Sequence, residues 1–354
     1  MIRLLLVDDS TFMLNVIKKC VESEESMVVA GTAKNGLEAI EKIKALKPDC
    51  VTMDINMPVL DGLNAVKEIM STCPVPIIML SAYSAEGAEL TVKALEYGAF
   101  DFIQKPDGEM STNLDSIKYE LIRKIFTAMR SKVFRLQKDK YEEAEPPAEA
   151  SAPVPHDHLL AEAVVAIGIS TGGPRTLREI LPLFKPEIRA AVIVSQHMPA
   201  QHTSIFAKQL DKITKLAVVE AANGMRMQNG TVYICPGGNN LSVKGKIITL
   251  EAPSDSDIYV PSVDRMFYAA AAEYRQNCIG IVMTGMGNDG TRGIAAIREN
   301  KGLVIAQDES SSIVFGMPKS AIETKLVDIV LPARLIPGKV NRWVEKKFAE
   351  KNND

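Results

Sequence analysis

The sequence predicts an α/β protein of two domains, each built around a parallel β-sheet. Along both halves of the chain, apolar runs of strand length alternate with amphipathic stretches of helix length, which is typical of parallel sheets covered by helices on both faces. Between the halves, residues 141–158 contain 4 Pro, 4 Ala and 4 Glu. This composition predicts an extended linker between two separate cores, because it buries too little apolar surface to order itself.

The first domain is predicted over residues 1–125. Five apolar runs in this half are predicted strands, at residues 2–7, 27–31, 50–55, 77–81 and 101–103. A long helix from about residue 113 to residue 136 follows the last strand. Its end and the linker together occupy residues 126–158, where a domain boundary is expected.

The second domain is predicted over residues 159–350, as a doubly wound parallel sheet. Its predicted strands are residues 163–169, 190–194, 231–235, 279–284 and 303–306. Residues 240–250 are predicted to form a hairpin with Gly245 at the turn.

Composition and charge exclude several classes of protein. The chain has 354 residues, enough for about two domains at roughly 150 residues each. A net charge of -3 provides no overall attraction for nucleic acid, so no nucleic-acid partner is expected. Because no apolar run reaches about 18 residues, membrane insertion is not expected either.

The cysteines indicate a reducing compartment. They are odd in number, widely spaced and never arranged as C-x-x-C, which argues against a disulfide framework or a zinc site. The apolar run before Asp8 is too short for a signal peptide. We therefore predict a cytoplasmic protein.

Polar residues follow the strands of the first domain. Asp8 and Asp9 follow the first strand, Asp54 ends the third, Ser81 ends the fourth and Lys105 follows the fifth. Any one acid could simply cap a strand or helix. Since the carboxyl ends of parallel strands share one edge of the sheet, all five side chains are expected there together. Three carboxylates at one place favour a Mg²⁺ site, and the lysine and hydroxyl suit a phosphoryl group.

With Met-Pro and Asp-Gly after Asp54 and Pro106 after the lysine, this pattern resembles the receiver domain of two-component response regulators. The resemblance implies a flavodoxin-like (βα)5 fold in which Asp54 accepts a phosphoryl group from a histidine kinase. It implies that Asp9, Asp54 and the backbone carbonyl of Asn56 hold Mg²⁺, with Asp8 acting through water.

The same resemblance implies a conformational switch. Lys105 would pair with the acylphosphate on Asp54, and Ser81 would donate a hydrogen bond to one of its oxygens. Phe102 would be the aromatic side chain whose rotamer follows phosphorylation. A phosphoryl group adds about -1.5 to -2 charges, which gives these movements a physical cause.

The second domain carries a candidate nucleophile. Residues 168–174, Gly-Ile-Ser-Thr-Gly-Gly-Pro, place Ser170 on a tight turn between a strand and a helix, as in the G-x-S-x-G elbow. Backbone amides at a helix start can face a developing oxyanion. The same residues would also form an ordinary N-cap of the helix.

A serine nucleophile needs a general base, and histidine is the usual one. His197 follows a strand at the edge expected for Ser170, whereas His202 is expected to be solvated or to cap a helix. His156 and His158 lie in the linker.

The third group of a triad is a carboxylate that orients the imidazole. Asp289 follows the predicted strand at residues 279–284 and is the favoured candidate. Asp264 resembles a helix-start acid, and Asp308 follows a different strand.

The stretches around Ser170, His197 and Asp289 resemble the catalytic domain of the chemotaxis protein-glutamate methylesterase family, which also carries an upstream receiver. The resemblance implies that these residues form the triad and that the backbone amides of Thr171 and Met286 stabilise the oxyanion. Ile169 departs from the family, which more often has a small residue there.

This resemblance implies a phosphorylation-activated serine hydrolase that demethylates glutamate methyl esters on chemotaxis receptors. Receptor glutamines could be deamidated by the same site. The implied partners are the receptors and a chemotaxis histidine kinase. Mg²⁺ would serve the receiver domain, and the esterase domain would need no cofactor.

Two other functions fit parts of the sequence. Residues 285–290 match the G-x-G-x-x-G of dinucleotide-binding oxidoreductases, with Asp308 beyond them, but that assignment leaves Ser170 and His197 unexplained. A non-catalytic output domain is the other alternative, although no helix-turn-helix pattern or basic stripe is present. We interpret Cys235 as a core residue, because no histidine accompanies it.

Overall fold

The computed structural model describes residues 1–81, 84–105, 114–131 and 159–349, in which the chain forms two compact units. The border between the units falls between Glu143 and Ala144. The predicted linker, the two histidines within it and Pro106 lie outside the described residues.

The first unit is a five-stranded parallel sheet with helices between its strands. Its strands are β1 (Ile2–Val7), β2 (Met27–Ala33), β3 (Cys50–Asp54), β4 (Ile77–Ser81) and β5 (Asp101–Gln104). Its helices are α1 (Thr11–Glu22), α2 (Gly36–Leu46), α3 (Gly62–Thr72), α4 (Ala85–Glu96) and α5 (Leu114–Arg130). The strand order is β2-β1-β3-β4-β5, so the order reverses between β1 and β3, beside Asp8 and Asp54.

Local sequence explains where these helices begin. Four of them start after a polar residue whose side chain accepts a backbone amide of the first turn, which satisfies one of the unpaired donors there. These capping residues are Ser10, Asn35, Asp61 and Ser84. The core strands are fully buried runs, as β3 and β4 show along their whole length.

The second unit contains a seven-stranded parallel sheet. Its strands are β6 (Ala163–Ile169), β7 (Ala190–Gln196), β8 (Ala217–Glu220), β9 (Thr231–Ile234), β12 (Cys278–Val282), β13 (Leu303–Gln307) and β14 (Ile329–Leu331). The order is β14-β13-β12-β6-β7-β9-β8. Strand β6 is therefore flanked by β7 and β12, and all seven residues of both β6 and β7 are buried.

Helices cover this sheet, and a hairpin accompanies it. The helices are α6 (Gly173–Ile180), α7 (Ala200–Asp211), α8 (Val263–Tyr274), α9 (Gly293–Glu299), α10 (Met317–Glu323) and α11 (Ile336–Ala349). The hairpin is β10 (Asn240–Lys244) and β11 (Ile247–Glu251), joined by Gly245 and Lys246, which both have positive φ angles. This confirms the predicted hairpin and its turn.

The structure confirms the predicted fold class of both halves, and it adds two strands. Strands β8 and β14 are short, and Val330 in β14 is exposed, so neither has the long buried apolar run that the sequence pattern requires. Among the described residues, no helix is long and apolar enough to cross a membrane.

Candidate active site

Ser170 lies on a tight turn at the carboxyl end of β6. Its backbone amide donates to the carbonyl oxygen of Thr284 at 3.0 Å, and its own carbonyl accepts the amide of Gly173 at 2.7 Å. Gly172 has a φ angle of +79°, a conformation that favours glycine. The turn therefore holds the serine between the strand and helix α6, as the G-x-S-x-G pattern predicts.

His197 follows β7, the strand next to β6. Its backbone amide donates to the carbonyl oxygen of Ile169 at 3.2 Å, which extends the strand pairing up to the site. The imidazole Nδ1 lies 3.1 Å from Oγ of Ser170. Nε2 lies 2.9 Å from Oδ2 of Asp289. With its proton on Nε2, the ring donates to the carboxylate and presents the Nδ1 lone pair to the serine hydroxyl.

Asp289 is buried and is held by backbone donors. Its Oδ2 accepts the amide of Val263 at 2.7 Å, and Oδ1 accepts the amides of Asp264 and Gly290, each at 3.0 Å. Two of these donors belong to the start of α8, where the helix dipole favours a negative charge. Burial alone would raise the pKa of Asp289, but the bonds from His197 and these amides lower it overall.

The three side chains meet because three neighbouring strands end at one edge. Ser170 follows β6, His197 follows β7 and Asp289 comes after β12, and β6 pairs with both other strands. This is the point where the strand order reverses, which is the usual ligand edge of an open α/β sheet. A hydroxyl, an imidazole and a carboxylate in this order can carry out nucleophilic acyl transfer.

The predicted oxyanion residues border the serine. Thr171 is buried on the turn directly after Ser170. Met286 follows Gly285, where an added Cβ would lie 2.7 Å from Cβ of Ser170, so the two loops approach closely. The carbonyl of Gly285 accepts the amides of Gly316 at 3.1 Å and Met317 at 2.8 Å, which fixes this loop.

The first unit gathers its predicted acidic residues at the edge between β1 and β3. Asp8 and Asp54 are buried and Asp9 is exposed, and carboxylate oxygens of all three lie within 4.8 Å of one another. Lys105 Nζ lies 2.9 Å from Oδ2 of Asp8 and 2.8 Å from Oδ1 of Asp54. Asn56 is an exposed residue of the turn that follows. Carboxylate and carbonyl oxygens are the donors Mg²⁺ prefers, so this set fits that ion.

The charges at this edge shift each other's protonation. Burial raises the pKa of Asp54, and the hydrogen bond from Lys105 opposes this rise without cancelling it. Burial would lower the pKa of Lys105, but its bonds to Asp54 and Asp8 raise it overall. The ammonium is therefore held charged between two carboxylates.

The side chains of the two predicted switch residues are buried and contact helices α4 and α5. The Ser81 hydroxyl is buried, accepts a hydrogen bond from Thr91 at 2.7 Å and lies 3.4 Å from the carbonyl oxygen of Gly87, both on α4. Phe102 is buried in β5, and the Lys124 ammonium lies 5.3 Å from its ring centroid.

Comparison with known proteins gives the family. Residues 165–340 match the CheB methylesterase family model, and residues 4–114 match the response regulator receiver domain. A protein-glutamate methylesterase/protein-glutamine glutaminase from Pyrococcus abyssi is 43% identical, over 97% of this chain and 94% of its own length. This chain belongs to that family.

Two further comparisons agree with this methylesterase assignment. A relative of the same name from Bacillus licheniformis is 40% identical, over 99% of this chain and 100% of its own. The crystal structure of the Thermotoga maritima CheB methylesterase catalytic domain has 39% identity and a TM-score of 0.50, and the match covers 51% of this chain and 98% of that one. The predicted family is confirmed.

Within the methylesterase domain, the alternative triad residues are engaged elsewhere. Asp264 lies in the first turn of α8, as predicted, and accepts the amides of Arg292 at 3.0 Å and Gly293 at 2.7 Å. Asp308 accepts the amide of Ser311 at 3.1 Å. Cys235 is buried, and burial raises the pKa of its thiol to about 12, which agrees with a core residue.

The expectation that His202 is solvated or caps a helix is wrong. The residue lies in α7 and is fully buried. Helix α7 begins at Ala200, so His202 falls on the same inward face as Phe206 and Leu210, which the polar sequence around it conceals. Ile169, the departure from the family pattern, is also fully buried.

Sequence reasoning missed two residues of the methylesterase site. Gln196 Nε2 donates to the carbonyl oxygens of Ser170 at 3.1 Å and His197 at 3.2 Å and so ties the two backbones together. The sequence did indicate Gln196, because it is a polar residue at the end of a fully buried strand and directly precedes the candidate base. Tyr259 stacks on the His197 ring, and the irregular polar segment that carries it gave no signal.

Proposed function

We propose that this methylesterase hydrolyses glutamate methyl esters on chemotaxis receptors through Ser170, His197 and Asp289, under the control of phosphorylation at Asp54. The hydrogen-bonded chain from the Ser170 hydroxyl through the imidazole to the buried carboxylate carries the proposal. Family membership supplies the class of substrate.

The acylation step uses both sides of the imidazole. Ser170 Oγ forms a bond to the ester carbonyl carbon while its proton passes to Nδ1 of His197, and Asp289 holds the opposite N–H. The tetrahedral intermediate collapses by breaking the bond to the methoxy oxygen, which leaves as methanol with the proton from Nδ1. A positioned acid-base group of this kind contributes about 10²- to 10⁴-fold.

Deacylation repeats the sequence with water. Water attacks the acyl-serine, gives one proton to Nδ1, and Ser170 recovers that proton as it leaves. The glutamic acid that forms gives the second proton of the water to solvent, and the product is a free glutamate carboxylate. We assign stabilisation of the developing oxyanion in both steps to the backbone amides of Thr171 and Met286. One such donor raises the rate by about 10²- to 10³-fold.

The same attack on a glutamine side chain would release ammonia. The names of the relatives include this glutaminase activity. Because the protonated imidazole can deliver its proton to an amide nitrogen as well as to a methoxy oxygen, no additional residue is required.

We assign the regulation of the esterase activity to residues of the receiver domain. Asp54 would accept the phosphoryl group from a histidine kinase. Asp9, Asp54 and the carbonyl of Asn56 would hold Mg²⁺, with Asp8 acting through water, and the ion would supply positive charge for the phosphoryl oxygens. Lys105 is held near Asp54 and would pair with the acylphosphate. Ser81 and Phe102 would then leave their present contacts and carry the change to the surface of the domain. The cytoplasmic location stays a prediction.

Methanol release tests chemistry and control together. Receptor membranes carrying labelled methyl esters are incubated with the full chain, with and without a small phosphodonor and Mg²⁺. We expect release that rises with the phosphodonor, disappears in Ser170→Ala and loses its stimulation in Asp54→Asn. Release by Ser170→Ala at the rate of the unsubstituted chain would contradict the proposed nucleophile.

A matched control separates the nucleophile from other serines. Ser195 is fully buried in β7, so a surface residue is the better comparison, and the exposed Ser310 in the turn after β13 serves this purpose. Ser310→Ala should leave the rate of methanol release unchanged, because this hydroxyl donates to Asp308 and lies outside the proposed triad.

A further inference from the structure

The imidazole of His197 is covered on one face by the ring of Tyr259. The two ring centroids are 5.0 Å apart, and the ring planes differ by only 4°, which is a stacked arrangement. Ser170 and Asp289 contact the two nitrogen atoms at the edge of the imidazole. Tyr259 therefore contacts a part of the general base that the triad leaves uncovered.

The segment that carries Tyr259 is fixed on both sides. Before it, Asp257 accepts hydrogen bonds from Arg265 at 2.8 Å and from Asn240 at 3.1 Å. After it, the amide of Ser262 donates to Oδ1 of the same Asn240 at 2.8 Å. Although this segment forms no helix or strand, its anchors hold the tyrosine in place over the imidazole.

Gly287 provides the space for the tyrosine hydroxyl. A Cβ added to this glycine would lie 2.4 Å from the Tyr259 oxygen, and the glycine has a φ angle of +92°. The hydroxyl end of the ring therefore lies against the loop that carries Met286 and Asp289. The tyrosine thus contacts this loop with its hydroxyl and the imidazole with its ring, and it remains partly exposed.

We propose that Tyr259 is a positioning residue for the proposed esterase reaction and acts through His197. The aromatic face fixes the plane of the imidazole, so that Nδ1 stays directed at Ser170. It also stabilises the positive charge that the imidazole acquires in each transition state, because an aromatic face attracts a cation.

The proposal predicts a change in kcat rather than in KM, and it depends on the ring rather than on the hydroxyl. In the full chain with phosphodonor, Tyr259→Leu should lower kcat for methanol release by about 3- to 30-fold, the range that a cation–π contact allows. KM should stay within about twofold. Tyr259→Phe, which keeps the ring, should retain most of kcat. Ile258→Ala, at the exposed neighbouring residue, is the matched control and should behave as the unsubstituted chain.

A spectroscopic measurement tests the stacking without relying on activity. The chain has only 4 histidines, so ring proton resonances of selectively labelled histidine can be assigned by comparison with His197→Gln. The ring current of Tyr259 should move the His197 signal upfield. Tyr259→Leu should remove this shift, and Tyr259→Phe should keep it.

The outcomes separate this proposal from the function on which it rests. An unsubstituted chain that releases no methanol would refute the esterase proposal, while the resonance would still report on the stacking. Wild-type kcat in Tyr259→Leu, an unchanged His197 resonance in that variant, or an equal loss in Tyr259→Phe would each overturn the positioning role. Loss of kcat together with the resonance shift, rescued by phenylalanine, would support it.

Discussion

The imidazole of His197 donates to Oδ2 of Asp289 at 2.9 Å, and that same oxygen accepts the first backbone amide of helix α8 at 2.7 Å. The carboxylate thus orients the imidazole and anchors a helix at the same time. Its negative charge is stabilised by donors that are already in place before substrate arrives.

Asp289→Asn should therefore affect both rate and stability. An amide cannot hold the imidazole in the required tautomer, and we expect kcat to fall about 10³- to 10⁴-fold, as for the corresponding change in a serine protease. Loss of the charge at the start of α8 should lower the free energy of unfolding by about 1 kcal/mol or more. Methanol release and denaturant unfolding measure the two effects. Asp308→Asn removes a carboxylate outside the site and should leave kcat unchanged; equal losses in the two variants would contradict the role of Asp289.

Gly287→Ala should impair the site by two routes that a control can separate. The new Cβ would meet the Tyr259 hydroxyl at 2.4 Å, and alanine is strained at this φ angle. Gly224 has a similar φ angle of +82°, but nothing lies within 4 Å of an added Cβ. Both variants should lose about 1 kcal/mol of stability from strain, and only Gly287→Ala should lose esterase activity. If Gly224→Ala lost as much activity, the contact with Tyr259 would not explain the effect.

Asp54→Asn should stabilise the first unit at neutral pH. Since folding raises the pKa of Asp54, the folded chain holds this proton more tightly than the unfolded chain, and stability falls as pH rises from about 3.9 through the raised pKa. Asparagine lacks the charge, so its Tm should exceed that of the unsubstituted chain by a few degrees at pH 7. The difference should vanish below about pH 4. Scanning calorimetry of both chains across this range provides the measurement, and a constant difference at all pH values would argue against the buried charge as its cause.

Mg²⁺ should stabilise the first unit through the three carboxylates at its edge. At about 100 times its Kd, a bound ion adds about 2.7 kcal/mol of stability. Asp9→Ala should remove most of this gain at little cost to the core, because Asp9 is exposed. Glu41→Ala, which removes an exposed carboxylate on α2, is the matched control and should keep the gain. Thermal unfolding with and without Mg²⁺ tests this, and an undiminished gain in Asp9→Ala would refute the assigned ligand.

The sequence was informative where a side chain's role follows from its strand. Strands β6 and β12 are continuous apolar runs, and β7 begins with five apolar residues, so the sequence alone places Ser170, His197 and Asp289 at one edge. The acids after β1 and β3 followed from the same rule. Parallel pairing makes the ends of such strands predictable.

Features that depend on tertiary contacts were not predictable in this way. Tyr259 reaches His197 from an irregular segment, and His202 is buried because of the direction in which α7 faces the sheet. No periodicity indicates the contact of Tyr259, and the polar residues around His202 conceal the helix face that it shares with Phe206 and Leu210. Strands β8 and β14 are short and lie at the two edges of the sheet. They are strands because they pair with a neighbouring strand, and their own sequence pattern does not indicate it.

Asp289 accepts backbone amides at the start of α8, and Asp264, which is itself a residue of α8, accepts backbone amides at the start of α9. Two successive helices, α8 and α9, are therefore anchored one after the other, beginning at the aspartate of the proposed triad. A library of variants selected only for survival after heating, with no demand for turnover, should still retain both aspartates. If Asp289 were invariant among such survivors, its conservation would reflect its role in stabilising the fold as well as its role in the reaction.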